Sequence, residues 1–332
     1  MVDVETRPFE ERDAARYVEL AQRAFASVPS GERRSETVER VAHLHGPRNP
    51  AGRAIVAWAR FEGGLVGHAS GVPARFLGRD GIPRIGWQIG SFVVDPGVQR
   101  QGVGRSLVDA LSRELASRSG DFVYTFPNLR SAPVFERRGY ASCTSAPTRI
   151  AIGARRTIPS SGDVALDSAS TARVFDPAAA RTAVAALSAS GGERGHFVRD
   201  PAWFAWRFLD PAVAAAYRFA RIEHERHGEF VIAIAEHAYR GLTFSVLADA
   251  LPALTARTLP VAVRAAAAFG ASRLVYFTTN LPAIGGGLTA LGTRIPTRLD
   301  PRPVQLLALP GGSIDLRELG AAPIQTADWM SF

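Results

Sequence analysis

The sequence predicts an α/β protein of two tandem modules, each a mixed central sheet with flanking helices. Three observations predict it. Apolar strand-like stretches alternate with amphipathic helical stretches from residue 2 to about 152. A chain of 332 residues is long enough for two domains. The element order of the first half returns in the second.

Val2–Phe9 reads as a strand. A helix follows from Asp13 to Ala26, where Ala14, Tyr17, Val18, Ala21, Ala24 and Phe25 repeat at helical spacing. A second helix covers Ser35–Leu44. Ala54–Phe61 is a strand, and Gly63-Gly64 signals a hairpin into Leu65–Leu77. The strand Ile82–Val94 ends at Asp95-Pro96 and, past a loop, a helix runs from Gly104 to about Ser117. Leu107, Leu111 and Leu115 line one face of that helix, and Gly120 sits where a C-terminal cap belongs. Asp121–Phe126 is a strand, Asn128–Arg138 a short helix and Tyr140–Ile152 a last strand region. The stretch 154–170, with Pro159-Ser-Ser-Gly162, is read as a linker between a module at 1–153 and one at 171–332.

In the second half, Arg173-Val-Phe-Asp-Pro177 repeats the strand-to-helix pattern of Arg7-Pro-Phe-Glu10. Glu229–His237 and Leu242–Leu247 form a hairpin around Arg240-Gly241. Pro260–Phe269 is helical and Arg273–Thr279 an apolar strand. The second half lacks a glycine loop before its long helix, so it reads as a degenerate copy.

Composition narrows the function classes. All 39 basic side chains are arginine, against 31 acids, for a net charge of +8. A nucleic-acid binder and a codon bias both produce such a chain; charge does not decide fold. With 46% apolar and 21% charged residues the chain is globular rather than disordered. A lone cysteine, Cys143, excludes an internal disulfide framework and cysteine-based zinc sites. The start of the chain has no apolar signal core, and no run approaches the ~18 apolar residues of a membrane helix. The expectation is a soluble, cytoplasmic protein with no metal and no membrane partner. Residues 51–150 hold 13 arginines against 7 acids, so most of the positive excess lies there.

That block contains Phe92-Val-Val-Asp-Pro-Gly-Val-Gln-Arg-Gln-Gly-Val-Gly-Arg-Ser106, which joins an apolar strand to a helix N-terminus. The first N–H groups of a helix lack intrahelical partners, and the helix dipole makes that end positive. Gly102 and Gly104 remove side chains there, so phosphates can approach backbone donors. Gln99, Arg100, Gln101, Arg105 and Ser106 crowd the same mouth, with Val103 between the glycines. The chemistry suits a pyrophosphate. A dinucleotide loop is excluded because Leu107 occupies the third glycine position. A Walker loop is excluded because the chain has no lysine.

The remaining pattern, Gln99-x-x-Gly102-x-Gly104, resembles the acyl-CoA pyrophosphate loop of the GNAT superfamily of N-acetyltransferases. Asn128-x-x-Ser131-x-x-Val134-Phe135-x-x-x-Gly139-Tyr140 resembles the second block of that family, and the resemblance spans about residues 2–152. It implies acetyl-CoA, or another acyl-CoA, as co-substrate, with Asn128, Ser131 and Phe135 beside it. It implies a pantetheine running between splayed strands, here Ile82–Val94 and Asp121–Phe126. Gly90 is the expected bulge, and backbone N–H groups at Phe92, Val93 and Val94 would face the thioester carbonyl.

The sequence departs from the family at its proton-transfer positions. Gln88 stands where many relatives carry a glutamate base, and Phe135 where many carry a tyrosine acid. Three explanations stay open. The acceptor nitrogen needs no strong base; or His68, Ser91 or Tyr140 serves instead; or the protein binds acyl-CoA without catalysis. The tandem layout also resembles the enhanced-intracellular-survival subfamily, whose members use the C-terminal carboxylate as base; here that group belongs to Phe332.

The stretch from Phe197 to Phe208, with Trp203 and Trp206 among Arg199 and Arg207, reads either as an acceptor pocket or as a helix packed on a sheet. His224 and His227 read as a solvated turn rather than a metal site. The resulting expectation is an acyl-CoA-dependent N-acyltransferase acting on a small-molecule amine, as monomer or homodimer. Its second module shapes the acceptor site or an interface. The alternatives are a non-catalytic acyl-CoA sensor and a nucleic-acid binder. The second has no recognition motif.

Overall fold

The computed structural model describes residues 2–26, 36–118, 121–128, 131–146, 148–152, 164–167, 169–187, 195–239, 241–278, 293–294, 304–311 and 314–321. The chain divides into two compact units. Unit 1 comprises Met1–Ser145, Glu193–Val198 and Val304–Ala322; unit 2 comprises Ala146–Gly192, Arg199–Pro303 and Pro323–Phe332.

Unit 1 begins with β1 (Asp3–Pro8), α1 (Glu11–Ala24), α2 (Val38–His45), β2 (Ile55–Phe61), β3 (Gly64–Leu77) and β4 (Pro83–Val94). It continues with α3 (Val103–Ala116), β5 (Phe122–Thr125), α4 (Ala132–Glu136) and β6 (Ala141–Ala146). β1 to β4 pair antiparallel in chain order. β5 then lies parallel to β4, as a strand–helix–strand crossover requires.

Both faces of this sheet are covered, and β2 shows how the sequence arranges that. Ile55, Ala57 and Ala59 join the core under α3, while Ala54, Val56 and Trp58 join the core with α1 and α2. α3 packs closely because β3 offers it glycines. A Cβ at Gly67 would lie 2.9 Å from Leu107 Cδ1, and one at Gly71 would lie 2.6 Å from Leu115 Cδ1. The β2–β3 turn has Glu62 and Gly63 at φ 50° and 79°, the left-handed pair that a two-residue hairpin needs.

Unit 2 repeats the plan with β7 (Thr148–Ile152), β8 (Val164–Asp167), β9 (Ser170–Phe175) and α5 (Pro177–Ala186), the last capped by Asp176 on the Ala179 N–H. Its other long elements are β11 (Tyr217–His224), β12 (Gly228–Tyr239), β13 (Leu242–Leu251), α8 (Leu259–Phe269) and β14 (Leu274–Thr278). β13, α8 and β14 form a parallel crossover like β4, α3 and β5. The two helices differ where they start. α3 begins at Gly102, whereas α8 begins Thr258-Leu259-Pro260, and its proline carries no N–H.

Three expectations are corrected. Tyr140–Ile152 is two strands rather than one region: β6 lies in the sheet of unit 1 and β7 in that of unit 2. The boundary at residue 153 is not a boundary of the fold, because β16 (Val304–Ala308) pairs with β5 in unit 1. β7 pairs antiparallel with β14 in unit 2 as β16 does with β5 in unit 1, so each half of the chain supplies that strand to the other sheet. The stretch 154–170 is not all linker: β8 and the start of β9 are strands within it. β10 (His196–Phe197) also joins the sheet of unit 1, through β3.

The Phe197–Phe208 stretch resolves toward packing. Asp200 caps the helical turn α6 (Pro201–Phe204), which passes into a π-helical turn at Ala205–Leu209. Phe204 and Phe208 are core residues of unit 2, and the buried Arg199 bonds Asp249 at 2.9 Å. No helix among the described residues is long and apolar enough to cross a membrane.

Candidate active site

The chemistry-bearing loop follows β4. Asp95 accepts from the Gly97 N–H and starts a 3-10 turn at Pro96–Val98. Arg100 and Gly102 then take left-handed backbone, with φ 67° and 86°. Gly102 is the N-cap of α3 and has no side chain to cap with. The first intrahelical bond runs from the Ser106 N–H to the Gly102 carbonyl. The N–H groups of Val103, Gly104 and Arg105 therefore lack intrahelical acceptors and carry the positive end of the dipole. A Cβ at Gly102 would meet nothing within 4 Å, whereas one at Gly104 would lie 3.1 Å from Phe92 Cζ. Gln99, Arg100, Gln101 and Arg105 are exposed around this mouth; Ser106 is half-buried. Arg105 leans on Asp109 at 3.7 Å, and Arg100 makes no ion pair among the described residues. The cradle thus offers backbone donors, an uncapped helix end and exposed guanidinium groups, which fit a pyrophosphate.

The second feature is the end of β4. Its parallel pairing with β5 runs from Gly86↔Phe122 to Ile89↔Thr125 and stops. Thr125 Oγ1 donates to the Ile89 carbonyl at 2.9 Å, closing the last paired position. Among the described residues Gly90 to Val94 have no strand partner on that side, so backbone groups there face the gap between the strands. On the β3 side the register passes from His68↔Val93 to Ser70↔Gly90, so Ala69 faces two residues, Ser91 and Phe92. This is a β-bulge. It sits at Ser91, φ 47°, rather than at the expected Gly90. A bulge reverses alternation: Trp87, Ile89, Phe92 and Val94 all belong to the α3 side, and Val93 to the other.

Ser91 points toward α2. His45, the last residue of α2, places Nε2 3.2 Å from Ser91 Oγ and 3.0 Å from Ser70 Oγ, while its Nδ1 lies 3.0 Å from the Val41 carbonyl. The His68 ring lies between those of Tyr17 and Trp58, at 4.8 and 4.3 Å and tilted 56° to each, and its Nδ1 lies 3.0 Å from the Ser91 carbonyl. Burial pushes the His68 imidazole down to about 3, so it is neutral. Gln88, half-buried, and Gly90 share this face by strand alternation. A Cβ at Gly90 would meet nothing within 4 Å, so space opens beside Ser91.

The second block behaves differently. Asn128 Oδ1 accepts from the Ser131 N–H and Ser131 Oγ accepts from the Asn128 N–H, both at 3.0 Å. The two residues thereby build the turn into α4. Phe135 is fully buried, 5.9 Å from the Phe92 ring and 5.2 Å from the Tyr140 ring. Tyr140 is a core residue: its hydroxyl lies 2.7 Å from Ser112 Oγ, and burial raises its pKa, which suits packing rather than proton donation. Phe332 lies outside the described residues. No group of three potential metal ligands occurs among the described residues. Sequence reasoning missed His45, which no motif contains; the only signal was a pair, His43 and His45, ending a helix.

The model of the Acetyltransferase (GNAT) family matches residues 16–140. No curated protein matches the sequence significantly. Among solved structures, a probable N-acyltransferase from Enterococcus faecalis V583 aligns at 12% identity and TM-score 0.54, covering 92% of this chain and 72% of that one. A GCN5-related N-acetyltransferase from Anabaena variabilis aligns at 14% identity and TM-score 0.54, with the same coverage. A tandem GNAT protein from the clavulanic acid biosynthesis pathway aligns at 16% identity and TM-score 0.52, covering 94% and 100%. At these identities the likeness is one of fold.

Proposed function

The chain belongs to the GNAT acetyltransferases through residues 16–140, and from that premise we propose that it transfers an acyl group from acyl-CoA, acetyl-CoA first, to the amine of a small molecule. One observation carries the reading: an uncapped α3 N-terminus with Gly102 at φ 86° lies directly after a β4 end that has parted from β5. A phosphate cradle and a gap beside free strand-edge groups are what an extended, pyrophosphate-bearing thioester needs. The N–H groups of Val103, Gly104 and Arg105, with Arg100 and Gln101, would hold the pyrophosphate. The edge of Phe92–Val94 would hold the thioester carbonyl, whose polarised carbon is the chemistry the co-substrate supplies. Asn128 and Ser131 shape the neighbouring turn.

A second reading, acyl-CoA binding without turnover, is favoured by Gln88 and by Phe135, which occupy the proton-transfer positions without acid or base. One measurement tests both readings and a second separates them. Acetyl-CoA raises the melting temperature under both. Release of CoA thiol with a panel of small amines, followed with a chromogenic thiol reagent, occurs only under the first. No stabilisation by any acyl-CoA refutes both.

A further inference from the structure

Resting on the acyltransferase reading, we infer that His45, acting through Ser91 Oγ, is the proton acceptor for the amine in place of the missing carboxylate. A backbone carbonyl only accepts, so His45 Nδ1, 3.0 Å from the Val41 carbonyl, carries the hydrogen. In the neutral ring Nε2 is then the lone pair, and it faces two hydroxyls. A lone pair only accepts, so the hydroxyls of Ser70, at 3.0 Å, and of Ser91, at 3.2 Å, both point their hydrogens at it. A hydroxyl bonded to a fixed imidazole lone pair is the arrangement in which a proton reaches the base through the oxygen.

Burial requires the relay. His45 is 6% exposed, so it cannot touch a substrate itself. Ser91 is half-buried, and the open space at Gly90 adjoins it. The bulge exists to hold this serine. Without it Ser91 would face α3, and its φ of 47° is conformationally costly for a residue with a side chain. His68 supports the bulge by giving its Nδ1 hydrogen to the Ser91 carbonyl, again the only direction a carbonyl allows. His68 is a positioning residue; Ser91 meets the substrate.

The step balances. As the nitrogen of a neutral amine bonds to the acyl carbon, its surplus proton passes to Ser91 Oγ and the Ser91 proton to His45 Nε2. The carbon–sulfur bond breaks with its electron pair on sulfur, and the proton returns through Ser91 to the thiolate. Amine and thioester become amide and thiol.

The test uses the full chain with His45→Gln and Ser91→Gly; glycine tolerates the φ of 47° while the hydroxymethyl group is lost. Both variants keep the acetyl-CoA-induced melting shift of the wild type and its KM for acetyl-CoA. Both lose 10²- to 10³-fold in kcat, the typical contribution of a positioned base, and the double variant loses no more than either alone. A readout independent of turnover is the long-range ¹⁵N–¹H spectrum, in which His45 shows a protonated Nδ1 and a bare Nε2 whose shift moves on Ser91→Gly. Wild-type turnover retained within threefold in either variant overturns the inference alone, as does a protonated Nε2. Acetyl-CoA binding with no turnover on any amine also overturns it. Failure of the wild type to bind acetyl-CoA overturns the functional reading itself.

Discussion

The α3 cradle can be tested by a pair of glycine substitutions that carry the same folding cost. Gly102 and Gly81 both have positive φ, 86° and 78°, and a Cβ at either meets nothing within 4 Å. Alanine at each position costs about 1 kcal/mol, the penalty of an L-residue in left-handed backbone. That corresponds to a fall of about 2–4 °C in melting temperature for a unit of this size. The two sites then diverge. Gly81 lies in the β3–β4 turn, at the opposite end of β4. Gly102 precedes the free N–H groups of Val103, Gly104 and Arg105, and relaxing its φ turns the peptide that carries the first of them. Losing one hydrogen bond to an anionic phosphate costs about 1.5–3 kcal/mol, or roughly ten- to a hundredfold in Kd. Calorimetric titration of acetyl-CoA into both variants reads this directly. Gly81→Ala binds as the wild type does, and Gly102→Ala binds at least about tenfold more weakly. Equal affinities in the two variants would show that the loop is not the cradle.

Further predictions concern the buried groups. The depressed His68 means that below pH 6.5 the unfolded chain takes up a proton that the native state refuses until about 3. Stability therefore falls with pH across that window by up to about 1.4 kcal/mol per unit, and His68→Gln loses one proton from the slope of urea-unfolding free energy against pH; identical slopes count against a neutral buried imidazole. Burial pushes the Asp13 carboxyl up, but bonds from the Arg7 guanidinium, at 2.6 and 2.8 Å, and from the Glu10 N–H pull it below the usual carboxylate range. Its contribution is present above the unfolded carboxylate pKa and is lost as pH falls through the native one. At neutral pH Asp13→Asn costs about 2–4 kcal/mol by chemical denaturation, held down by the partial exposure of Arg7, and a neutral result removes the pair from the account. Burial pushes the Cys143 thiol up to about 11, so native protein reacts with a chromogenic disulfide about two orders of magnitude more slowly than urea-unfolded protein; equal rates contradict it.

Much of unit 1 was legible because its signals are local. The unbroken apolar run of β2, the leucine face of α3 and a glycine hairpin turn, one residue earlier than Gly63-Gly64, each follow from a few adjacent residues. The cradle was legible for the same reason: Gln99 to Ser106 form one contiguous loop. What escaped depends on distance in sequence. Nothing near Val304–Ala308 indicates a strand for the first sheet, and nothing near Thr148–Ile152 indicates one for the second, because pairing partners leave no local mark. The bulge was placed one residue early, at Gly90, since glycine is the residue that permits such backbone most easily, whereas here His68 and His45 hold a serine in it. His45 lies 46 positions from Ser91, and only the fold brings them together.

The central claim is that the α3 N-terminus and the end of β4 form one acyl-CoA site. A crystal structure of the protein with acetyl-CoA tests it most directly. The expected result is pyrophosphate oxygens within hydrogen-bonding distance of the Val103, Gly104 and Arg105 N–H groups, and the thioester carbonyl against the Phe92–Val94 edge of β4. Acetyl-CoA bound elsewhere, or with its pyrophosphate away from Gly102, would contradict it.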